Sequence, residues 1–147
     1  MLEESGINAG ITRHEDLKIT LEDRMDSAMD INASLFVSVH FGASKDITER
    51  GTLTMYNSSN NDAVYGITGE KAAQLIHNKV VRELGTEDAG MMKMSSLKYD
   101  GLKMPAVAID LAFMTNASDR EKLKAEEFSL NAAKALHDGI IAVLNEM

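Results

Sequence analysis

Ser34-Leu35-Phe36-Val37-Ser38-Val39-His40, continued by Phe41-Gly42-Ala43, is the stretch whose reading decides the fold. It is a short run of β-branched and aromatic residues that ends on an imidazole and passes straight into small residues. That is the pattern of a buried parallel strand whose C-terminal end carries a functional group. Ligands of open α/β sheets sit in the crevice beyond the carboxyl ends of the strands, so His40 stands where chemistry is expected. A histidine that is merely hydrogen-bonded at a strand end gives the same pattern.

A second run of this kind follows the only proline. Pro105 precedes Ala106-Val107-Ala108-Ile109, and the run ends on a carboxylate, Asp110. In a parallel sheet both strand ends point to one edge, so His40 and Asp110 can share a site. A histidine with a carboxylate can bind zinc or act as an acid–base pair, and the residue types alone do not choose between them.

The remaining elements are read outward from these two strands. Ile7–Thr12 has the composition of a strand weakened by Gly10. Thr20 is an N-cap residue with Glu22 and Asp23 in the first turn, and the helix it opens sets Leu21, Met25, Ala28 and Met29 on one face. Lys45–Arg50 is a charged loop, Thr52–Tyr56 a strand, and Asn57–Asp62 a surface loop by its Ser and Asn content. A helix starting at Thr68 or Gly69 turns Ala72, Leu75, Ile76, Val80 and Leu84 inward and ends on Gly85. Residues 86–96 read as irregular, Leu97–Tyr99 as a short strand and Asp100-Gly101 as a turn. Ser118-Asp119-Arg120-Glu121 has the spacing of a capping box. The last helix, from about Ser129, is expected to bury Leu130, Ala133, Leu136, Ile140, Ile141 and Leu144. Strands and helices alternate, which predicts an α/β fold with a largely parallel, twisted sheet flanked by helices, in one domain over 1–147.

Composition removes several function classes. The chain has 147 residues and a net charge of -8, which argues against nucleic acid, whose binding rests on clustered Lys and Arg. It has no cysteine, so disulfides, thiolate metal sites and a cysteine nucleophile are excluded. No apolar run reaches transmembrane length, and from the acidic start no signal peptide is expected. HExxH, GxSxG and phosphate-cradling glycine loops are absent. His14 reads as an exposed loop residue beside Glu15 and Asp16, and His77 and His137 as solvent-face residues of helices.

Three places in order along the chain resemble the zinc-dependent N-acetylmuramoyl-L-alanine amidases, the cell-wall hydrolases of amidase type 3. Ile11-Thr12-Arg13-His14-Glu15-Asp16 with Thr20-Leu21-Glu22-Asp23-Arg24 looks like the family's LTR-x-x-D connection and L-x-x-R helix start. Asn32-Ala33-Ser34-Leu35-Phe36-Val37-Ser38-Val39-His40 is similar to N-A-D-L-F-I-S-I-H, whose histidine is a zinc ligand. Met104-Pro105-Ala106-Val107-Ala108-Ile109-Asp110-Leu111-Ala112-Phe113-Met114-Thr115-Asn116 resembles M-P-A-V-L-V-E-L-G-F-L-S-N, in which the glutamate is the catalytic carboxylate.

The resemblance implies metal-assisted hydrolysis of the amide between muramic acid and L-alanine of peptidoglycan. His40 would be a zinc ligand, and Asp110 the carboxylate that takes a proton from water and passes it to the leaving amine. The family's D-P-G-H-G-G segment and its helix glutamate, which supply two further ligands, have no counterpart here. Met1–Gly6 looks like the tail of that helix, so the N-terminal strand and helix of the domain are expected to be missing. Asp110 is one methylene shorter than the family glutamate, and Gly42 replaces an asparagine.

Two readings follow from these departures. One is a peptidoglycan amidase domain with weak or no turnover in this chain. The other is a non-catalytic module that binds peptidoglycan or a protein partner. The resemblance also implies a place in the cell envelope or outside the cell. A sheet lacking its neighbouring strand is expected to associate with itself through the bare edge.

Overall fold

The computed structural model describes residues 1–57, 62–94, 99 and 101–147, with 62 and 63 described in backbone only. Met1–Gly6 is a single 3₁₀ turn over Glu3–Ser5, closed by Gly6 in the left-handed region. Ile7–Thr12 is not a strand, contrary to expectation. Ile11 is 66% exposed and among the described residues no strand pairs with the segment; the Arg24 guanidinium instead donates to Thr12 Oγ1 at 2.9 Å. β propensity without a neighbour to pair with does not make a strand.

Helix α1 spans Leu21–Asp30 and begins as its sequence predicts. Thr20 Oγ1 accepts from the Asp23 backbone N–H, and the Asp23 side chain accepts from the Thr20 N–H, a reciprocal cap. Strand β1 is Phe36–Gly42 and β2 is Thr52–Tyr56. A short helix α2, Asp62–Tyr65, precedes α3, Gly69–Leu84, which Thr68 caps at its start and a left-handed Gly85 ends. Strand β3 is Asp88–Lys93, where the sequence reads as irregular. Gly90 at φ 90° and a register break against β2 interrupt the alternation that would announce a strand. Strand β4 is Ala106–Phe113, followed by α4, Ala117–Leu123, and α5, Phe128–Leu144. The expected strand at Leu97–Tyr99 and the turn at Asp100 fall largely outside the described residues. Tyr99 itself is buried with its ring centroid 5.9 Å from that of Phe36. Most of the predicted loop Asn57–Asp62 also falls outside; Asn57 is buried and bonds Met104 and Ala106 of the main chain.

Among the described residues the strands form one mixed sheet in the order β1-β4-β2-β3. β1 runs parallel to β4 and β3 parallel to β2, while β2 and β4 are antiparallel, so two of the three pairings are parallel as expected. One face carries Val107, Ile109 and Leu111 against α3 and α5. The other carries Phe36, Ala106 and Ala108, with Ala28 of α1 and the buried Leu102 and Met104.

The inward face of α5 differs from the predicted one. Phe128, Ala132, Ala135, Gly139 and Val143 are buried, while Leu130 is 49% exposed and Ala133 is exposed. The reason is proximity: a Cβ at Gly139 would stand 2.9 Å from Ile76 Cα, so the two helices meet along their smallest residues. The larger Leu136 and Ile140 flank that seam, partly buried. The start of α4 also differs. Asn116, not Ser118, is its N-cap, with Asn116 Oδ1 accepting from Ser118 N and Asp119 N.

A further departure concerns β1. It has β4 on one side and no second strand among the described residues, so it is an edge, and Val39 and Phe41 are 47% and 46% exposed. The run packs on both faces near its start, through Phe36 on one and Leu35 and Val37 on the other, and gives up this cover at Val39 and Phe41.

Candidate functional site

His40 and Asp110 are direct register partners across the parallel β1–β4 pair. Neighbouring strands lie about 4.8 Å apart and directly opposed side chains share a face, so the imidazole and the carboxylate stand together at the C-terminal ends of both strands. His40 is exposed and Asp110 half-buried. Within β1, Ser38 lies two residues back on the same face, and its Oγ is 2.6 Å from His40 Nε2, anchoring the ring.

Past this pair the register slips. Between the pairs His40–Asp110 and Gly42–Phe113, one residue of β1, Phe41, stands against two of β4, Leu111 and Ala112. The extra residue is taken up by Leu111 and Ala112, which both join the core under α3 and α5. Phe113 therefore returns to the face of Asp110, where its ring lies against Gly42, leaving 3.0 Å to a Cβ placed there. Gly42, where the related motif has asparagine, is thus matched to Phe113.

On the other side of β4, Leu53 of β2 is the antiparallel partner of Asp110. A cleft of about 300 Å³ opens here, lined by Glu49, Arg50, Leu53, Ala89 and Phe113. Three of these residues are apolar, one carries a carboxylate and one a guanidinium.

The loop that brings Glu49 and Arg50 to this cleft is held by side chains from the segment after β4. Thr115 Oγ1 accepts from Ser44 N, and Asn116 Nδ2 donates to Ile47 O. Asp119 is 2% exposed, and its Oδ2 accepts from both Gly51 N at 2.7 Å and Phe113 N at 2.8 Å. A buried carboxylate that takes two backbone N–H bonds ties the start of β2 to the end of β4. Gly51 sits at φ 94°, and any Cβ there would collide with the Glu87 carbonyl. Arg50 pairs with the Glu87 carboxylate at 2.6 Å. Asp119 and Arg50 carry no motif that marks them; only the strand ends they join show what they do.

His77 lies far from the solvent-face position expected of it. It is 2% exposed, with Nδ1 2.9 Å from Thr54 Oγ1 of β2 and Nε2 2.9 Å from Asp88 Oδ1 of β3. The Asp88 carboxylate can only accept, so His77 Nε2 donates to it, while Nδ1 shares the second hydrogen bond with the Thr54 hydroxyl. The hydrogen bond from His77, together with that from Gly90 N–H, holds the Asp88 carboxyl below the usual carboxylate range. This cluster pins α3 to the sheet on the face away from His40 and Asp110. His137 is partly covered and bonds Ser5 and Asp138, and His14 is an exposed loop residue as expected.

Zinc in a catalytic site takes about three protein ligands. Among the described residues no group of three His, Asp or Glu side chains is placed to hold a metal ion. His40 and Asp110 give two donors, so the described residues do not by themselves make a zinc site.

The model of the N-acetylmuramoyl-L-alanine amidase family matches residues 1–142. The chain is 33% identical over 141 residues to the N-acetylmuramoyl-L-alanine amidase LytC of Bacillus subtilis (strain 168), covering 96% of this chain and 28% of that protein. It is 34% identical to the uncharacterised protein YqiI of the same organism, covering 95% of this chain and 65% of that one. The chain thus spans less than two thirds of either relative. Among solved structures, the catalytic domain of the amidase CwlV from Bacillus (Paenibacillus) polymyxa var. colistinus superposes with a TM-score of 0.86 at 25% identity, covering 99% of this chain and 78% of that one. An N-acetylmuramoyl-L-alanine amidase from Clostridium difficile 630 does so with a TM-score of 0.84 at 26% identity, over 95% of this chain and 73% of that one.

Proposed function

The chain belongs to the N-acetylmuramoyl-L-alanine amidase family, and from that membership we propose that it works on peptidoglycan, at the amide joining N-acetylmuramic acid to L-alanine. The observation that carries this reading is the His40–Asp110 register pair at the C-terminal edge of β1 and β4. Asp110 is the proton carrier of this proposal. Its carboxylate accepts a proton from the attacking water and returns it to the amine as the C–N bond breaks. His40, with its ring anchored by Ser38 Oγ, faces the same position. The family is generally zinc-dependent, and His40 corresponds to its histidine ligand. Because the donor set among the described residues stops at two, no step is assigned to the metal. The site of action that suits a peptidoglycan substrate is the cell envelope or its outside. No helix among the described residues is long and apolar enough to cross a membrane.

Turnover by this chain is expected to be low. A carboxylate one methylene short is displaced by about 1 Å, and misplacement of that order costs roughly 100-fold. The test is dye release from labelled cell walls, with a complete relative run alongside. The expected result is release slower by about 100-fold or more. Chelator-sensitive release at the relative's rate would overturn the expectation, and the absence of any cell-wall binding would overturn the substrate assignment.

The short donor set and the shortened carboxylate favour a second reading, a module that binds peptidoglycan without cleaving it. Sedimentation with insoluble cell walls in the absence of dye release is its signature. The open edge of β1, with Val39 and Phe41 half exposed, supports self-association as a further part of this proposal. Light scattering that rises with concentration, and that Val39→Lys suppresses, is the expected sign.

A further inference from the structure

We infer that the cleft beside Asp110 is a subsite for a carboxylate on the peptide side of the scissile amide, with Arg50 as the residue that selects it; this inference rests on the proposed function. Three features of the cleft carry it. Three of its five lining residues, Leu53, Ala89 and Phe113, are apolar and suit an alkyl stem. The other two are Arg50, whose guanidinium is a planar fork that matches a carboxylate, and Glu49, whose carboxylate accepts from N–H groups. A peptide bearing an acidic side chain or terminus offers an alkyl stem, a carboxylate and backbone N–H groups within one or two residues.

Position agrees with chemistry. Leu53 is the register partner of Asp110, and Arg50 precedes it by three residues, at most about 10 Å of chain. One peptide residue spans about 3.5 Å, so a ligand whose scissile amide lies at Asp110 reaches the cleft with its second or third residue.

Arg50 is also held in place. The turn it occupies is fixed by Gly51 in the left-handed region, by the buried Asp119 acceptor on Gly51 N, and by Thr52 N–H donating to the Glu87 carbonyl. The Arg50 side chain remains 49% exposed and its pairing with Glu87 is a surface ion pair. Such pairs are weak, so an incoming carboxylate can take the place of Glu87. The overall charge of -8 makes a selective cation at this edge more than a general attraction for anions, because the field of the whole chain repels them.

The experiment titrates the isotope-labelled chain with N-acetyl-L-alanyl-D-glutamate and with its diamide, following the backbone N–H signals of Gly51, Ala89 and Phe113. The diacid is expected to bind roughly tenfold more tightly than the diamide. Arg50→Gln should erase that preference, Arg50→Lys should retain part of it, and Arg82→Gln, on the exposed side of α3, should leave it intact. Equal binding of the two peptides, a preference that survives Arg50→Gln, or no binding of either would overturn the subsite. The dipeptides contain no muramic acid amide, so the measurement is independent of hydrolysis. Arg50-dependent binding without dye release would uphold the subsite and count against the hydrolase reading. Dye release without Arg50-dependent binding would do the reverse.

Discussion

β4 and β1 run side by side in parallel register, and both are written in apolar residues that end on a polar one. β4 is buried at every position except the half-buried Asp110. β1 is buried at Phe36 and Gly42, and exposed at Val39, His40 and Phe41. The difference lies in their neighbours. β4 is flanked by β1 and β2, with α3 and α5 beneath it. β1 has β4 alone among the described strands. An apolar run therefore announces a strand, while burial depends on what the rest of the chain brings to each side of it. The comparison also assigns roles: β4 supplies the fixed carboxylate, and β1 presents the imidazole at an open margin.

The largest effect that can break this comparison is expected at Ile109, which is fully buried. Ile109→Ala should cost about 2–5 kcal/mol, read as a lower midpoint in a urea melt with an unchanged slope. A cost below about 1 kcal/mol would mean that β4 is not the central strand described. Next comes Asp119. Asp119→Ala strands the Gly51 and Phe113 N–H groups in the interior, at roughly 1–3 kcal/mol each. Asp119→Asn, which keeps an acceptor, should lose clearly less. Equal losses for the two variants would show that the carboxylate does not tie β2 to β4.

A smaller effect is expected on the far face of the sheet, where His77 joins β2 and β3. The Asp88 carboxyl is held low by His77 and Gly90 N–H. A lowered folded value favours the native state once pH is above the ordinary carboxylate value of about 3.9, and this advantage fades as pH falls through the lowered one. The stability gap between the native chain and Asp88→Asn should therefore be level from pH 5 to 7 and close below about pH 4. Since Asp88 is mostly exposed, the gap itself is small. A gap that widened on acidification would contradict the assignment. Smallest of all is Val39→Ala in β1, expected to cost less than about 1 kcal/mol because the side chain is already half in water. A loss as large as that at Ile109 would erase the contrast between the strands.

The parts of the fold visible in the sequence are those governed by local chemistry. Thr20 with Asp23, Thr68 with Gly85, and the strands at Thr52–Tyr56 and Ala106–Ile109 rest on capping and periodicity, which act within a few residues. His40 and Asp110 were legible as strand ends, and their register partnership follows from parallel pairing. Other features depend on contacts distant in sequence. β3 is hidden by Gly90, which breaks the alternation. The buried face of α5 follows Gly139 because Ile76, on another helix, needs the space. His77 sits among Lys79, Asn78 and Gln74, so its burial comes from Thr54 and Asp88 rather than from its helix neighbours. Arg50 and Asp119 are hidden for the same reason: one sits in a charged loop and the other in an apparent capping box, and only the sheet joins them.

The pairing of His40 with Asp110 is the claim on which the site rests, and nuclear Overhauser contacts between β1 and β4 test it most directly. The ladder described here predicts cross-peaks between the His40 ring and the Asp110 β-protons, within a parallel pattern that aligns Phe36 with Ala106 and Val39 with Ile109. A slip of one residue would turn every side chain of β1 to the opposite face. His40 cross-peaks to Ile109 or Leu111 in place of Asp110 would contradict the register, and with it the shared site.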